Sequence, residues 1–253
     1  MTSAAVGARA FSRGRGERVH LTLLCFSGAG GNEPVFYDWR RQAPPWLALK
    51  SVVLPGHPGR FREKPAIDLV ALASMLVEEF SDTLDYPYAL FGHSMGAILA
   101  FEVARFAQRQ GRPATHLFVS ACAAPHLPRR VPLWDNLPDL MLQQRIAKHS
   151  TAGPNHVKTP ELMELLLPIF RADVRLCETY KYKESSRLQC PIVAYAGTSD
   201  PSVTHEAIRA WCRHSSGLFN RALLPGDHHY LERHREFVID DLCRRLATFV
   251  NLS

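Results

Sequence analysis

The pentapeptide Gly92-His93-Ser94-Met95-Gly96 restricts what this chain can fold into more than any other stretch, because of its flanks. The apolar run Ala89-Leu90-Phe91 leads in and reads as a buried strand. Residues 97–110 are helix formers and stop at Gly111, a good helix-terminating residue followed by Arg112-Pro113. Strand, sharp turn and helix around G-x-S-x-G make a nucleophile elbow. Such an elbow holds its serine in a strained backbone conformation, so that the hydroxyl stands proud of the sheet edge. Glycines two before and two after the serine remove side chains that would collide where strand meets helix. The competing reading, a serine in an ordinary glycine-rich loop, leaves the flanking pattern without a purpose.

The rest of the chain arranges itself around that unit. Residues 20–26 read as a buried strand running into Ser27-Gly28-Ala29-Gly30-Gly31. Dinucleotide binding needs G-x-G-x-x-G, but Glu33 occupies the last position and that reading fails. Backbone N–H groups in such a turn can instead face a developing oxyanion. Residues 49–54 read as a second strand, followed by a loop over 55–60 with two prolines and two glycines. Leu69, Leu72, Ala73, Leu76 and Phe80 recur at helical spacing within 67–84, and 115–120 is the next strand. Alternating strands and helices predict an α/β chain with a mostly parallel, doubly wound sheet.

The alternation breaks over 122–187, where 133–148 and 161–182 read as helices joined by residues 150–155. Leu133, Trp134, Leu137, Leu140, Met141 and Leu142, then Leu162, Met163, Leu165, Leu166, Leu167, Ile169 and Phe170, exceed what one exposed helix face should carry. Two readings stand: an inserted helical lid over an apolar acyl-chain tunnel, or ordinary core between helices. Strands return at 191–197 and 222–224, with helices at 205–214 and 234–250. The expected division is a flexible N-terminal arm, 1–18; a core, 19–121 and 188–253; and a lid, 122–187.

Composition excludes several classes. With 253 residues, 46% hydrophobic and 21% charged, the chain suits one large α/β domain with an insertion. No apolar run approaches the length that crosses a bilayer, and residues 1–18 lack the apolar stretch of a secretory signal. The six cysteines form no C-x-x-C pair, which argues against zinc and for a reducing, cytoplasmic setting. The net charge of +6 weakly favours an acidic partner. Basic residues are not gathered into a run with interleaved aromatics, so nucleic acid is not expected.

A serine hydroxyl needs a base, and the base needs an acid to fix its tautomer. On an elbow sheet the order along the chain is serine, acid, histidine. Nine histidines follow Ser94, so placement relative to strands must choose among them. Asp200, in Gly197-Thr-Ser-Asp-Pro201, and His228, in Leu224-Pro-Gly-Asp-His228, each follow an expected strand and fall at the same sheet edge. Asp227 and Asp173 are alternative acids. His229 neighbours the base but points elsewhere, and His57, His93, His116, His126, His149 and His156 read as surface or loop residues. Asp227-His228-His229 with His234 hints at a metal, but no other set at ligand spacing supports one.

These residues resemble the type II thioesterases of polyketide and nonribosomal peptide synthesis, which have the α/β-hydrolase fold. The resemblance is carried by Phe26 to Gly31, Leu54-Pro-Gly-His-Pro-Gly-Arg60, Gly92 to Gly96, Leu167-Pro-Ile-Phe-Arg-Ala-Asp173 with Glu178 and Tyr180, Gly197 to Pro201, and Gly226 to Tyr230. It implies Ser94 as nucleophile, His228 as base, Asp200 as orienting acid, and the N–H groups of Ala29 and Met95 as oxyanion hole. It further implies acyl or peptidyl carrier proteins as partners, an acyl group carried on their phosphopantetheine, no cofactor of its own, and a cytoplasmic monomer away from membranes. Two departures stand out. The turn reads Phe-Ser-Gly-Ala-Gly-Gly where the family usually has proline and an aromatic or histidine before Ala-Gly-Gly, and Asp227 replaces the usual second glycine before the histidine. A free-standing esterase or lipase, and a binding protein on a retired hydrolase scaffold, are the alternatives.

Overall fold

The computed structural model of the chain describes residues 11–13, 17–31, 34–128, 134, 136–149 and 160–250. Within the expected arm, β1 (Phe11–Arg13) and β2 (Glu17–Val19) pair antiparallel. Then come β3 (Leu21–Phe26), α1 (Pro34–Gln42), β4 (Leu47–Ser51), α2 (Leu69–Glu79), α3 (Ser81–Leu84), β5 (Tyr88–His93), α4 (Met95–Arg109) and β6 (His116–Ser120). Helices α5 (Asp139–His149) and α6 (Pro160–Thr179) separate β6 from β7 (Ile192–Gly197). The chain continues through α7 (His205–Arg209), a 3-10 turn (Ala210–His214), β8 (Phe219–Leu224), α8 (Tyr230–Arg233) and α9 (Arg235–Val250).

Strands β3 to β8 form one six-stranded sheet in the order β4-β3-β5-β6-β7-β8, every pair parallel. Parallel neighbours require crossovers, and these carry helices to both faces. Successive residues of β5 serve the two sides: Leu90 packs with Leu72, Leu76, Leu99 and Val103 of α2 and α4. Ala89 and Phe91 pack opposite, with Trp39 of α1 and Leu242 and Leu246 of α9. The mostly parallel, doubly wound α/β sheet expected from the pattern is the one observed.

Boundaries differ where local chemistry overrides periodicity. The helix expected over 67–84 starts later, where the Asp68 side chain accepts from the Ala71 N–H, and it breaks at Phe80 into α2 and α3. The helix expected from 133 begins only at Asp139, because Pro138 disfavours helical backbone at the residue before it. Residues 133 and 150–156 lie outside the described set. The strand expected over 49–54 is paired at Leu47–Ser51, as the chain turns into the proline- and glycine-rich loop. Residues 205–214 divide into α7 and the 3-10 turn. Helix α1 is absent from the elements expected above, although proline at its first position followed by Val35, Phe36 and Trp39 is an amphipathic start.

Trp39 is wholly buried, meets Phe91 edge-on at 4.8 Å, and donates its indole N–H to the Arg235 carbonyl at 2.8 Å. One ring thus joins α1, the elbow strand and the start of α9. Trp39→Ala is expected to cost about 3–5 kcal/mol, the range for emptying a large aromatic site. Urea unfolding measures it, and a cost below about 1 kcal/mol would show that this ring does not anchor that face of the sheet.

Candidate active site

Ser94 sits between the last residue of β5 and the first of α4, with φ 54° and ψ −118°. A non-glycine residue there costs on the order of 1–3 kcal/mol and persists only when its surroundings over-determine it. Those surroundings are visible. The Ser94 N–H donates to the Ser120 carbonyl at 2.8 Å, and the Ser94 carbonyl accepts from Ala97 N–H at 3.0 Å. A Cβ on Gly92 would run into the Gly96 carbonyl, and one on Gly96 into the carbonyl oxygen of Phe26. The two glycines therefore permit the close crossing of strand and helix that the motif implied.

Three distant side chains converge on the serine. His228 Nε2 lies 2.9 Å from Ser94 Oγ, and His228 Nδ1 lies 2.7 Å from Asp200 Oδ2. Facing a carboxylate, Nδ1 carries the proton, which leaves Nε2 to accept from the hydroxyl. Asp200 is buried and its other oxygen accepts from the Ser202 N–H at 2.8 Å and hydroxyl at 2.6 Å. Burial pushes the Asp200 carboxyl up. The hydrogen bond and charge of His228, with the two Ser202 donors, outweigh it and hold the group below its ordinary value.

The rival assignments separate cleanly. Asp227 Oδ1 accepts from the His229 N–H at 2.9 Å, and Asp173 lies in α6, bonded to other groups. The His229 ring stands at 89° to that of His228, as neighbours on an irregular loop do. Of the expected oxyanion donors, Met95 opens α4, so its N–H is one of the first-turn donors without an intrahelical partner. Ala29 is half-buried in the turn that leaves β3.

Two histidines expected at the surface are buried instead. His93 Nδ1 is 2.8 Å from Ser120 Oγ, which is 2.7 Å from the Tyr230 hydroxyl. Burial first, then the neighbouring histidines, hold the His93 pKa well below the usual imidazole value, so it is neutral beneath the His228 ring, 5.5 Å away. His57 Nε2 is 2.9 Å from Asp173 Oδ2, the oxygen that also accepts the Gly30 N–H at 2.7 Å. Burial lowers the His57 pKa, but the hydrogen bond and charge of Asp173, with the carbonyls of Pro55 and Leu54, raise it overall. His116 and His126 are half-buried and away from Ser94's partners; the His149 side chain and His156 lie outside the described residues. The pairing of His57 with Asp173 carries no local signal, being a contact between segments 116 residues apart, whereas Ser202 bonds Asp200 from two residues along the same loop. Among the described residues no group of three histidine, cysteine, aspartate or glutamate side chains is disposed to hold a metal ion.

A family model described as "Thioesterase domain" matches residues 21–246, from the first sheet strand to the closing helix. The gramicidin S biosynthesis protein GrsT of Aneurinibacillus migulanus is 34% identical over 227 residues, covering 89% of each chain. Among solved structures, the RedJ thioesterase of the prodiginine pathway in Streptomyces coelicolor is 34% identical, with a TM-score of 0.82 over 96% of this chain and 91% of its own. The type II thioesterase BorB of the borrelidin cluster is 33% identical, with a TM-score of 0.84 over 97% of this chain and 100% of its own. With an elbow serine, a histidine and a carboxylate already in hydrogen-bonded sequence on this fold, the chain belongs to the thioesterase family of α/β-hydrolases.

Proposed function

We propose that this chain hydrolyses acyl thioesters from the phosphopantetheine arm of carrier proteins, through an acyl-enzyme on Ser94. The observation that carries the reading is the continuous Ser94–His228–Asp200 chain at 2.9 and 2.7 Å, in a member of the thioesterase family. His228 Nε2 takes the proton of Ser94 as Oγ attacks the thioester carbonyl carbon. The resulting oxyanion is met by the N–H groups of Ala29 and Met95. Collapse breaks the C–S bond, and His228 returns the proton to the departing thiol. A water then enters, gives its proton to Nε2 and attacks the acyl carbon. Collapse releases the free acid and restores Ser94. Asp200 stays ionised throughout and stabilises the imidazolium.

In this reading residues 122–187 form a lid. Phe170 of α6 lies against Gly30 in the oxyanion turn and stacks with Trp134 at 6.3 Å, an apolar cover suited to an acyl chain. The biological role is removal of stalled or aberrant acyl units during polyketide or nonribosomal peptide synthesis, a reading supported by relatives that serve gramicidin S, prodiginine and borrelidin biosynthesis. A cytoplasmic monomer needing no cofactor of its own goes with that role; no described helix is long and apolar enough to cross a membrane. Carrier proteins are generally acidic, and the chain's charge of +6 offers them a complementary surface.

Ser94→Ala or His228→Ala is expected to lose on the order of 10⁴–10⁶ in turnover of acyl-carrier substrate. Near wild-type hydrolysis by Ser94→Ala removes the mechanism, and a clear preference for a simple ester of the same acyl chain replaces the carrier with a small-molecule substrate. Added salt is expected to lower kcat/KM on the carrier-bound substrate much more than on a small neutral thioester; equal salt responses would exclude charge-guided docking. Asp200 also predicts an acid limb. Because its folded pKa lies below the unfolded value of about 4, its stabilisation is complete above that value and is lost as pH falls through the folded one. Thermal unfolding of wild type should therefore lose more stability on acidification through this window than Asp200→Asn, and parallel curves would contradict the assignment.

A further inference from the structure

We propose that Asp173 and His57 are positioning residues for the reaction: they set the turn that carries Ala29, and they make its shape depend on the seating of helix α6. The inference rests on the reading of Ala29 as an oxyanion donor. The turn after β3 closes on itself by a Gly31 N–H bond to the Gly28 carbonyl at 3.0 Å. From above it is held by α6 at two points. The Gly30 N–H donates to Asp173 Oδ2 at 2.7 Å, and the Phe170 ring lies so close to Gly30 that a Cβ there would meet it at 2.6 Å. Gly30 has φ +72°, so this N–H direction belongs to a backbone conformation that other residues adopt only under strain. Phe170 and Asp173 are three residues apart on one helix and so reach the same turn together.

The charge of Asp173 raises a difficulty that His57 resolves. A bare carboxylate one residue from an oxyanion donor opposes the negative charge that the transition state develops, and the water-poor surroundings magnify the opposition. His57 Nε2 lies 2.9 Å from the same carboxylate oxygen, and Nδ1 lies 3.3 Å from the Pro55 carbonyl. Both ring nitrogens thus face acceptors, and only the doubly protonated ring satisfies both. The pair is then neutral as a whole. It fixes the turn by a charge-assisted bond without presenting net negative charge to the substrate.

The closing experiment uses the full chain, a short acyl N-acetylcysteamine thioester as substrate, and an alkyl trifluoromethyl ketone as inhibitor. The ketone adds to Ser94 and carries an oxyanion; the thioester needs no carrier. His57→Gln keeps a donor to Asp173 but removes the charge, and Asp173→Asn keeps the shape. Each is expected to lower kcat by roughly 10- to 100-fold, somewhat less than deleting an oxyanion donor outright, with KM within about threefold. The inhibition constant of the ketone should weaken by the same factor as kcat, and His57→Gln/Asp173→Asn should be less impaired than His57→Gln because no unpaired carboxylate remains. A ketone constant unchanged in both single variants overturns the proposal, whatever happens to stability, since loss of folded enzyme lowers the rate but not the affinity of what remains. Wild type inert toward the thioester overturns this inference together with the proposed function; wild type active on it but not on an acyl-carrier substrate overturns the carrier assignment alone.

Discussion

All six core strands point the same way, and from that constraint the site follows. In a parallel sheet every strand delivers its carboxyl end to one rim, so residues that come just after different strands are neighbours whatever their separation in sequence. Ser94 follows β5, Asp200 follows β7 and His228 follows β8. The last two loops are stitched together before their side chains meet. Gly197 pairs with Leu224 in register, Thr198 N–H reaches the Leu224 carbonyl at 2.8 Å, and Ser199 N–H reaches the Gly226 carbonyl at 2.8 Å. The carbonyls of Gly226 and Asp227 pass so near Gly197 that no side chain would fit there. Asp200 and His228 are thus set relative to one another by backbone, and the 2.7 Å contact between them is a consequence.

The elbow costs strain, and the fold supplies the restraints that hold it. Ser94 and Ala121 are the non-glycine residues with positive φ among those described, and they lie side by side at the ends of β5 and β6. The Ser94 N–H bonds to Ser120 and the Ala121 N–H to Tyr195, so each strained position is tied to the next strand. Beneath them runs the buried series His93, Ser120, Tyr230, linked by hydrogen bonds and uncharged at the histidine. The His93 imidazole, held neutral there, adds no charge beside the His228 ring 5.5 Å away. Buried polar groups of this kind rigidify when satisfied and destabilise when not, which ties the precision of the site to the completeness of the network.

What is legible in the sequence, and what is not, divides along a physical line. Strand and helix identity rest on local periodicity and punctuation, and those signals were sufficient for the sheet, for α4 and α9, and for the elbow. Boundaries failed where a single side chain or a proline intervened, as at Asp68 and Pro138. Helix α1 carries apolar residues at helical spacing, Val35, Phe36 and Trp39, but it is short and follows directly on a glycine-rich turn whose punctuation signals irregular structure. Asp200 and His228 could be selected from many candidates since each immediately follows a strand. His57, in a loop with two prolines and two glycines, had no such placement and read as a surface residue.

The sequence by itself determined the elbow, the chain order of the serine, carboxylate and histidine that meet, and the class of sheet, because each is encoded in contiguous residues or in chain order. Only the tertiary structure decided which histidines are buried, and that Asp173 of α6 meets both His57 and, through Gly30, the turn after β3. Those are contacts between segments up to 143 residues apart. A hydrogen bond across such a distance depends on how helices pack over the sheet, and no local pattern of residues records it.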